Sequence, residues 1–192
     1  MLFYLLDQLQ SDQAKQLLGT RAEIYSCDIS EFAGTEKFDL VVSLFHVSAY
    51  QSTPEEFLNF IEIVSRNLTD QGVAIIDFWN RTAWFDDPPV IRSKSAIFEN
   101  ISYERISVPD VNLLNGTIKL AMDIERVKES SREKVVSEVH NLRAFTLFEI
   151  ELAARANGLI INHFGVWMNT ESPLRVDTWY GFTVLSKPKR GV

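Results

Sequence analysis

Apolar positions along the chain fall into several kinds of run, and each kind predicts a different element. Leu2, Phe3, Leu5, Leu6, Leu9, Leu17 and Leu18 gather largely on one side of a 3.6-residue wheel. Residues 2–18 therefore read as an amphipathic helix, which Gly19 closes. Phe38–Phe45 and Val73–Trp79 are almost continuously apolar, the pattern of strands covered on both faces in a parallel sheet. Ala22–Cys27 is a shorter strand. Between the two long runs, Thr53-Pro54-Glu55-Glu56 opens a helix. It offers a capping oxygen, a proline where no N–H is needed, and two acids beside the positive helix end. Phe57, Phe60, Ile61, Val64 and Leu68 carry the apolar stripe, and Asp70-Gln71-Gly72 turns the chain. Strand, helix, strand is the unit of doubly wound sheets.

From about residue 93 the pattern changes to long runs with partial alternation: Ile97–Val108, Gly116–Lys128 and Lys134–Phe145. Asn115-Gly116 and the polar stretch Glu129–Glu133 supply turns, so three antiparallel strands are expected. Residues 93–145 thus form an insertion within an α/β core made of 1–92 and 146–192. Helical spacing returns at Thr146, with Glu149 three residues on as its capping partner. Leu147, Ile150, Leu152 and Ala153 read as its buried side, and Asn157-Gly158 as its stop. Leu159–Trp167 and Thr178–Ser186 are the last two strands, paired antiparallel across residues 168–177.

Composition narrows the function classes. A chain of 192 residues makes one domain the default, and 46% apolar content suffices for a core. Net charge is −7, with 19 basic residues dispersed among 26 acidic ones, so no nucleic-acid footprint is present. No run approaches the roughly 20 apolar residues of a membrane helix. The opening MLFYLLDQL lacks the basic start of an export signal. One cysteine, Cys27, excludes an internal disulfide and fits a reducing compartment, so a cytoplasmic location is expected. The sequons at Asn67, Asn80, Asn100 and Asn115 are then coincidences of composition. Three histidines and one cysteine lie scattered, without metal-ligand spacing, and no nucleophile elbow occurs.

The order of elements and several local motifs resemble the class I, Rossmann-like S-adenosylmethionine-dependent methyltransferases over nearly the whole chain. Cys27-Asp28-Ile29 followed by Phe32 looks like the segment of that family that contacts adenine. Phe38-Asp39-Leu40-Val41-Val42-Ser43 looks like its fourth strand. Leu68-Thr69-Asp70-Gln71-Gly72-Val73 resembles its turn into strand five, with Gln71 in place of a usual glycine. Phe145-Thr146-Leu147, Glu149 and Ala156-Asn157-Gly158-Leu159 resemble the signature before strand six. The resemblance implies an α/β fold: a partial Rossmann-like methyltransferase sheet of family strands 3-4-5-7-6, with a three-stranded antiparallel insertion after strand 5. It also implies S-adenosylmethionine as cofactor and methyl transfer to N or O of a small-molecule acceptor, with amino sugars among the candidates.

One part of the family pattern is missing. No Gly-x-Gly occurs among the eight glycines, although the family holds the methionine end of its cofactor on such a loop. The resemblance therefore leads us to expect a chain that begins after family strands one and two, with Met1-Leu2 in the helix after strand two. One edge of Val41–Phe45 is then exposed. Either strand three slides beside strand four, or another polypeptide fills the gap, or the region is poorly ordered. Isolated cofactor binding is expected to be weak or absent.

Candidate residues follow from position as well as from the resemblance. His46 lies just past the carboxyl end of a parallel strand, where open α/β sheets place ligands. A neutral imidazole there can take a proton from an attacking amine or hydroxyl, or can simply shape the loop. The resemblance assigns Asp28, Ile29, Ser43, Leu44 and Phe45 to the cofactor side; Asp28 also reads as a turn cap, and Asp39 as structural. Tyr50 either closes the pocket or packs on the next helix. Trp79, Arg81 and Trp84 suit an acceptor site of aromatic walls and one guanidinium, or else an aromatic core beneath the insertion. His140 and His163 read as structural. Two functions stay open: a methyltransferase, and a catalytically inactive relative serving as partner or dimerising subunit through the insertion. A nicotinamide oxidoreductase would also need a dinucleotide glycine fingerprint, and an antiparallel Thr178–Ser186 would argue against it.

Overall fold

The computed structural model describes residues 2–4, 12, 15–21, 23–25, 27–32, 36–128 and 131–189. Residue 12 and residues 15–18 are helical, but Leu2–Tyr4 is a strand (β1), where the sequence predicts helix. It pairs in parallel with β2, Glu23–Tyr25, and the two form a small sheet of their own. A short apolar run does not distinguish helix from strand by periodicity, and here a partner strand decides. The rest of the expected helix lies outside the described residues.

The central sheet has the order β3-β4-β10-β9, formed by Phe38–Ser43, Leu68–Trp79, Tyr180–Ser186 and Ile160–Val166. β3 and β4 run parallel; β10 lies antiparallel between β4 and β9, the order that the family resemblance implies. β4 begins earlier than predicted. Phe38 pairs with Leu68 but Leu40 with Val73, so the expected turn at 70–72 is absorbed as a bulge in the ladder. Gly72 is needed there: a Cβ would lie 2.8 Å from the Phe38 carbonyl oxygen.

The two later predicted helices form between the strands. α1, Pro54–Asn67, starts in a capping box in which Thr53 and Glu56 exchange side-chain and backbone bonds. α2, Leu147–Ala156, starts in the same way with Thr146 and Glu149. Together they cover one face of the sheet. Phe57, Phe60, Ile61 and Val64 from α1 and Ile150, Ala153 and Ala154 from α2 pack on Ala74, Ile76, Phe78 and Leu185. Leu152, expected on the buried side of α2, faces solvent instead. No helix among the described residues is long and apolar enough to cross a membrane.

The insertion is a four-stranded antiparallel sheet rather than three-stranded: β5 Arg92–Phe98, β6 Ile101–Asn112, β7 Thr117–Lys128 and β8 Ser131–Arg143. The first predicted strand contains a hidden turn. Glu99 and Asn100 have φ of 49° and 63°, the left-handed pair that a two-residue I′ hairpin requires. Glu-Asn is not the usual signal for it. The root of this sheet, Ile118 with Val111 and Leu120, forms a second core against Trp84, Ala144, Trp79 and Trp179.

Candidate functional site

β3 ends at Ser43, and two residues later the chain makes a sharp bend. Phe45 and His46 both adopt positive φ, 62° and 63°, a conformation that non-glycine residues hold only when their surroundings compensate. The compensation comes from Asp77 on the neighbouring strand β4, a side chain with 0% exposure. Its carboxylate accepts the His46 backbone N–H at 2.9 Å through Oδ1 and 3.1 Å through Oδ2. The Ser48 hydroxyl donates to the Asp77 carbonyl oxygen at 2.7 Å, fastening the 3-10 turn Val47–Tyr50 to β4.

This bend sets the His46 ring. The imidazole stacks on Tyr180 of β10, with centroids 4.9 Å apart and planes 18° from parallel, and Trp79 lies 6.0 Å away. Nδ1 is 3.2 Å from Asp77 Oδ2, yet it lacks the alignment of a hydrogen bond, so the carboxylate charge acts on the ring through space. Nε2 makes no hydrogen bond among the described residues, and the side chain is 21% exposed. Burial pushes the His46 pKa below its ordinary value, against the pull of the Asp77 charge. Burial also pushes the Asp77 carboxyl up, opposed by the N–H bonds it accepts and by His46. At neutral pH the ring is therefore uncharged and able to accept a proton.

A second group joins this loop to the insertion. The Tyr50 hydroxyl is hydrogen-bonded to His140 Nδ1 on β8 at 3.3 Å, and His140 Nε2 to Glu138 Oε2 at 3.2 Å. Burial, and then the Glu138 charge, raise the Tyr50 phenol.

On the expected cofactor side, Asp28 caps the turn Ile29–Glu31. Its Oδ1 takes the Ser30 hydroxyl at 2.6 Å and the Ser30 N–H at 2.8 Å, bonds that lower its pKa. Ile29 packs against the main core. The Ser43 hydroxyl is buried without a partner among the described residues, Leu44 is half-buried, and the Phe45 ring is 83% exposed. Of the expected acceptor residues, Trp79 stands beside His46 with its indole N–H buried and unpartnered among the described residues. Arg81 and Trp84 do not join it. Trp84 is enclosed in the second core, and the Arg81 guanidinium bonds Glu149 and the Leu114 carbonyl, both at 3.5 Å. The same Glu149 oxygen takes Arg143 at 2.9 Å. Both residues sit at the root of the insertion, where an aromatic core and an ion-pair network fasten it to α2.

The sequence reading missed Asp77 and Tyr180 as members of this cluster. Asp77 does leave a signal: a lone acid within the apolar run Val73–Trp79 must find partners when buried. Tyr180 leaves none, because its place opposite Trp79 depends on the register of β10.

No protein-family profile and no curated protein matches the sequence. Solved structures do match the fold. An S-adenosylmethionine-dependent methyltransferase from Clostridium acetobutylicum superposes with a TM-score of 0.78 at 15% identity, over 97% of this chain and 74% of that one. The sugar N-methyltransferase KedS8 from Streptoalloteichus gives 0.75 at 18% identity, over 98% and 71%. An amino pentose methyltransferase from Micromonospora echinaspora, solved with S-adenosylmethionine bound, gives 0.72 at 18%, over 97% and 73%. The mixed α/β architecture of this chain is thus the Rossmann-like fold of the class I S-adenosylmethionine-dependent methyltransferases.

Proposed function

We propose that the chain transfers a methyl group from S-adenosylmethionine to N or O of a small-molecule acceptor, with amino sugars the first class to try. The observation that carries this reading is the placement of His46: an imidazole held past the carboxyl end of β3 by the buried Asp77 carboxylate and the Tyr180 ring, partly open to solvent, in a methyltransferase fold. Sugar and amino pentose methyltransferases among the structural neighbours support the choice of acceptor.

The residues present fit one side of the cofactor. Asp28 has one carboxylate oxygen outside its cap, Ser43 holds a buried hydroxyl that has no partner among the described residues, and Phe45 offers an exposed ring. These would hold the adenosine end. When bound, the cofactor supplies a sulfonium methyl as electrophile. The chain's own contribution is to hold the acceptor in line and to receive its proton. Positioning is the larger part of such catalysis; His46 as base adds a factor of about 10²–10⁴. Trp79 and Tyr180 wall the acceptor beside His46, and Tyr50 closes the loop side. Calorimetric titration with S-adenosylmethionine, followed by label transfer to a panel of amino sugars, tests the reading. Saturable binding and a His46→Gln rate loss of at least tenfold support it; absence of binding sinks it.

A second reading is favoured by one observation: the sequence has no Gly-x-Gly. On that reading the chain is a catalytically inactive relative that acts as a partner or dimerising subunit through β5–β8. Val108 and Val139, exposed on that sheet, would lie in the contact. Sedimentation velocity separates the two: a dimer that Val139→Glu dissociates, with no cofactor binding, is the outcome this second reading requires, and a monomer rules it out.

A further inference from the structure

We infer that Asp77 is the positioning residue of His46: its buried carboxylate selects the imidazole tautomer protonated on Nδ1 and thereby leaves the Nε2 lone pair for the acceptor. The inference rests on the proposed methyl transfer for its catalytic meaning, but its physical content stands on three features of the molecule.

First, Asp77 fixes where the ring starts. The two N–H contacts at 2.9 and 3.1 Å hold the His46 backbone in its left-handed conformation, so Cβ leaves the chain in one direction. Second, Tyr180 fixes how the ring is turned, by stacking on it at 4.9 Å. Third, the ring so placed presents Nδ1 to Asp77 Oδ2 at 3.2 Å. A lone pair on Nδ1 would face the carboxylate's own lone pairs at that distance, and the two would repel. A proton on Nδ1 meets them favourably, even off the line of an ideal bond.

Nε2, the nitrogen left open, then carries the lone pair. It would accept the acceptor's proton and pass it to solvent, onto which the ring is partly open, while Asp77 balances the transient imidazolium charge. Asp77 from β4 and Tyr180 from β10 are the titratable groups found in contact with the ring among the described residues.

A purely structural Asp77 would hold the backbone and leave the tautomer alone, and ¹⁵N NMR of the imidazole separates the two. In the wild-type protein without ligand, we expect the neutral ring of His46 to be protonated on Nδ1. In Asp77→Asn, whose amide oxygen can still accept the His46 N–H, we expect the Nε2-protonated form to gain. The His46 titration midpoint should also fall by about one pH unit, since an adjacent negative charge has been removed. A wild-type ring protonated on Nε2 overturns the inference. So does a folded Asp77→Asn protein with unchanged tautomer and midpoint. The wild-type measurement keeps the test decisive if the variant does not fold. Neither spectrum involves methyl transfer, so failure to bind S-adenosylmethionine would remove the proposed reaction and leave this pairing standing.

Discussion

The two faces of the central sheet are made by the same strands and meet opposite surroundings. On the face beneath α1 and α2, Ala74, Thr183 and Leu185 are at 0% exposure and Ile76 at 1%. On the other face Leu40 and Val42 are 55% and 49% exposed, although their strand is as apolar as β4. By period-two alternation, Ile75, Asp77 and Trp79 belong to this open face, with Leu40 and Val42 paired to Val73 and Ile75. The candidate site is thus the polar end of the uncovered face, and the helices stabilise it from behind. The outer edge of β3 has no partner strand among the described residues, so the least covered strand leads directly to His46.

This contrast can be broken by mutation. Phe78, with 0% exposure on the covered face, should lose about 3–5 kcal/mol of stability as Phe78→Ala in urea unfolding. Val42→Ala on the open face should stay within about 0.5 kcal/mol. Equal losses would show that the open face is covered in solution. Gly72→Ala should cost about 1–3 kcal/mol, because its Cβ would press on the Phe38 carbonyl at 2.8 Å and disturb the ladder joining the two strands. Thr53→Ala removes the α1 capping box and should cost about 1 kcal/mol, with faster amide exchange confined to the first turn.

The smallest expected effect is a pH dependence. His46 is held below its ordinary 6.5, so the unfolded chain takes up that proton first as pH falls. Stability should therefore decline on acidification just below pH 6.5, until the folded-state value is passed. Asp77, pushed above its ordinary 3.8, acts in the opposite sense at lower pH. Melting curves between pH 7.5 and 6 should show the decline, and His46→Gln should flatten it. A slope unchanged by the substitution would assign the dependence to other groups.

Local chemistry made much of the fold legible. The cap, proline and acids at Thr53–Glu56 and the Thr146/Glu149 pair each announce a helix start within a few residues. The apolar runs announce β3 and β4, but a run cannot say how far each face will be covered, and here Leu40 and Val42 are left exposed. Glu99–Asn100 hid a turn because its left-handed pair is imposed by strand pairing, not by glycine. Trp84 and Arg81 were misleading for a related reason. Aromatics and a guanidinium near a strand end suit a ligand or a second core equally, and the Glu149 carboxylate that claims Arg81 lies 68 residues away in sequence. His46 was singled out from strand position alone. Its partner Asp77, 31 residues on, needed the parallel register of β3 and β4 to be seen.

The position of β10 bears on how the chain comes to exist at all. Thr183 reaches the Ile76 carbonyl across a sequence separation of 107, with the whole inserted sheet made in between. A ribosome emits β4 long before the strand that must lie beside it. Hairpins β5–β8 close through local turns and can settle early, whereas β4 waits with one edge unpaired. Nascent-chain lengths ending before residue 180 should accordingly be those that depend most on chaperones.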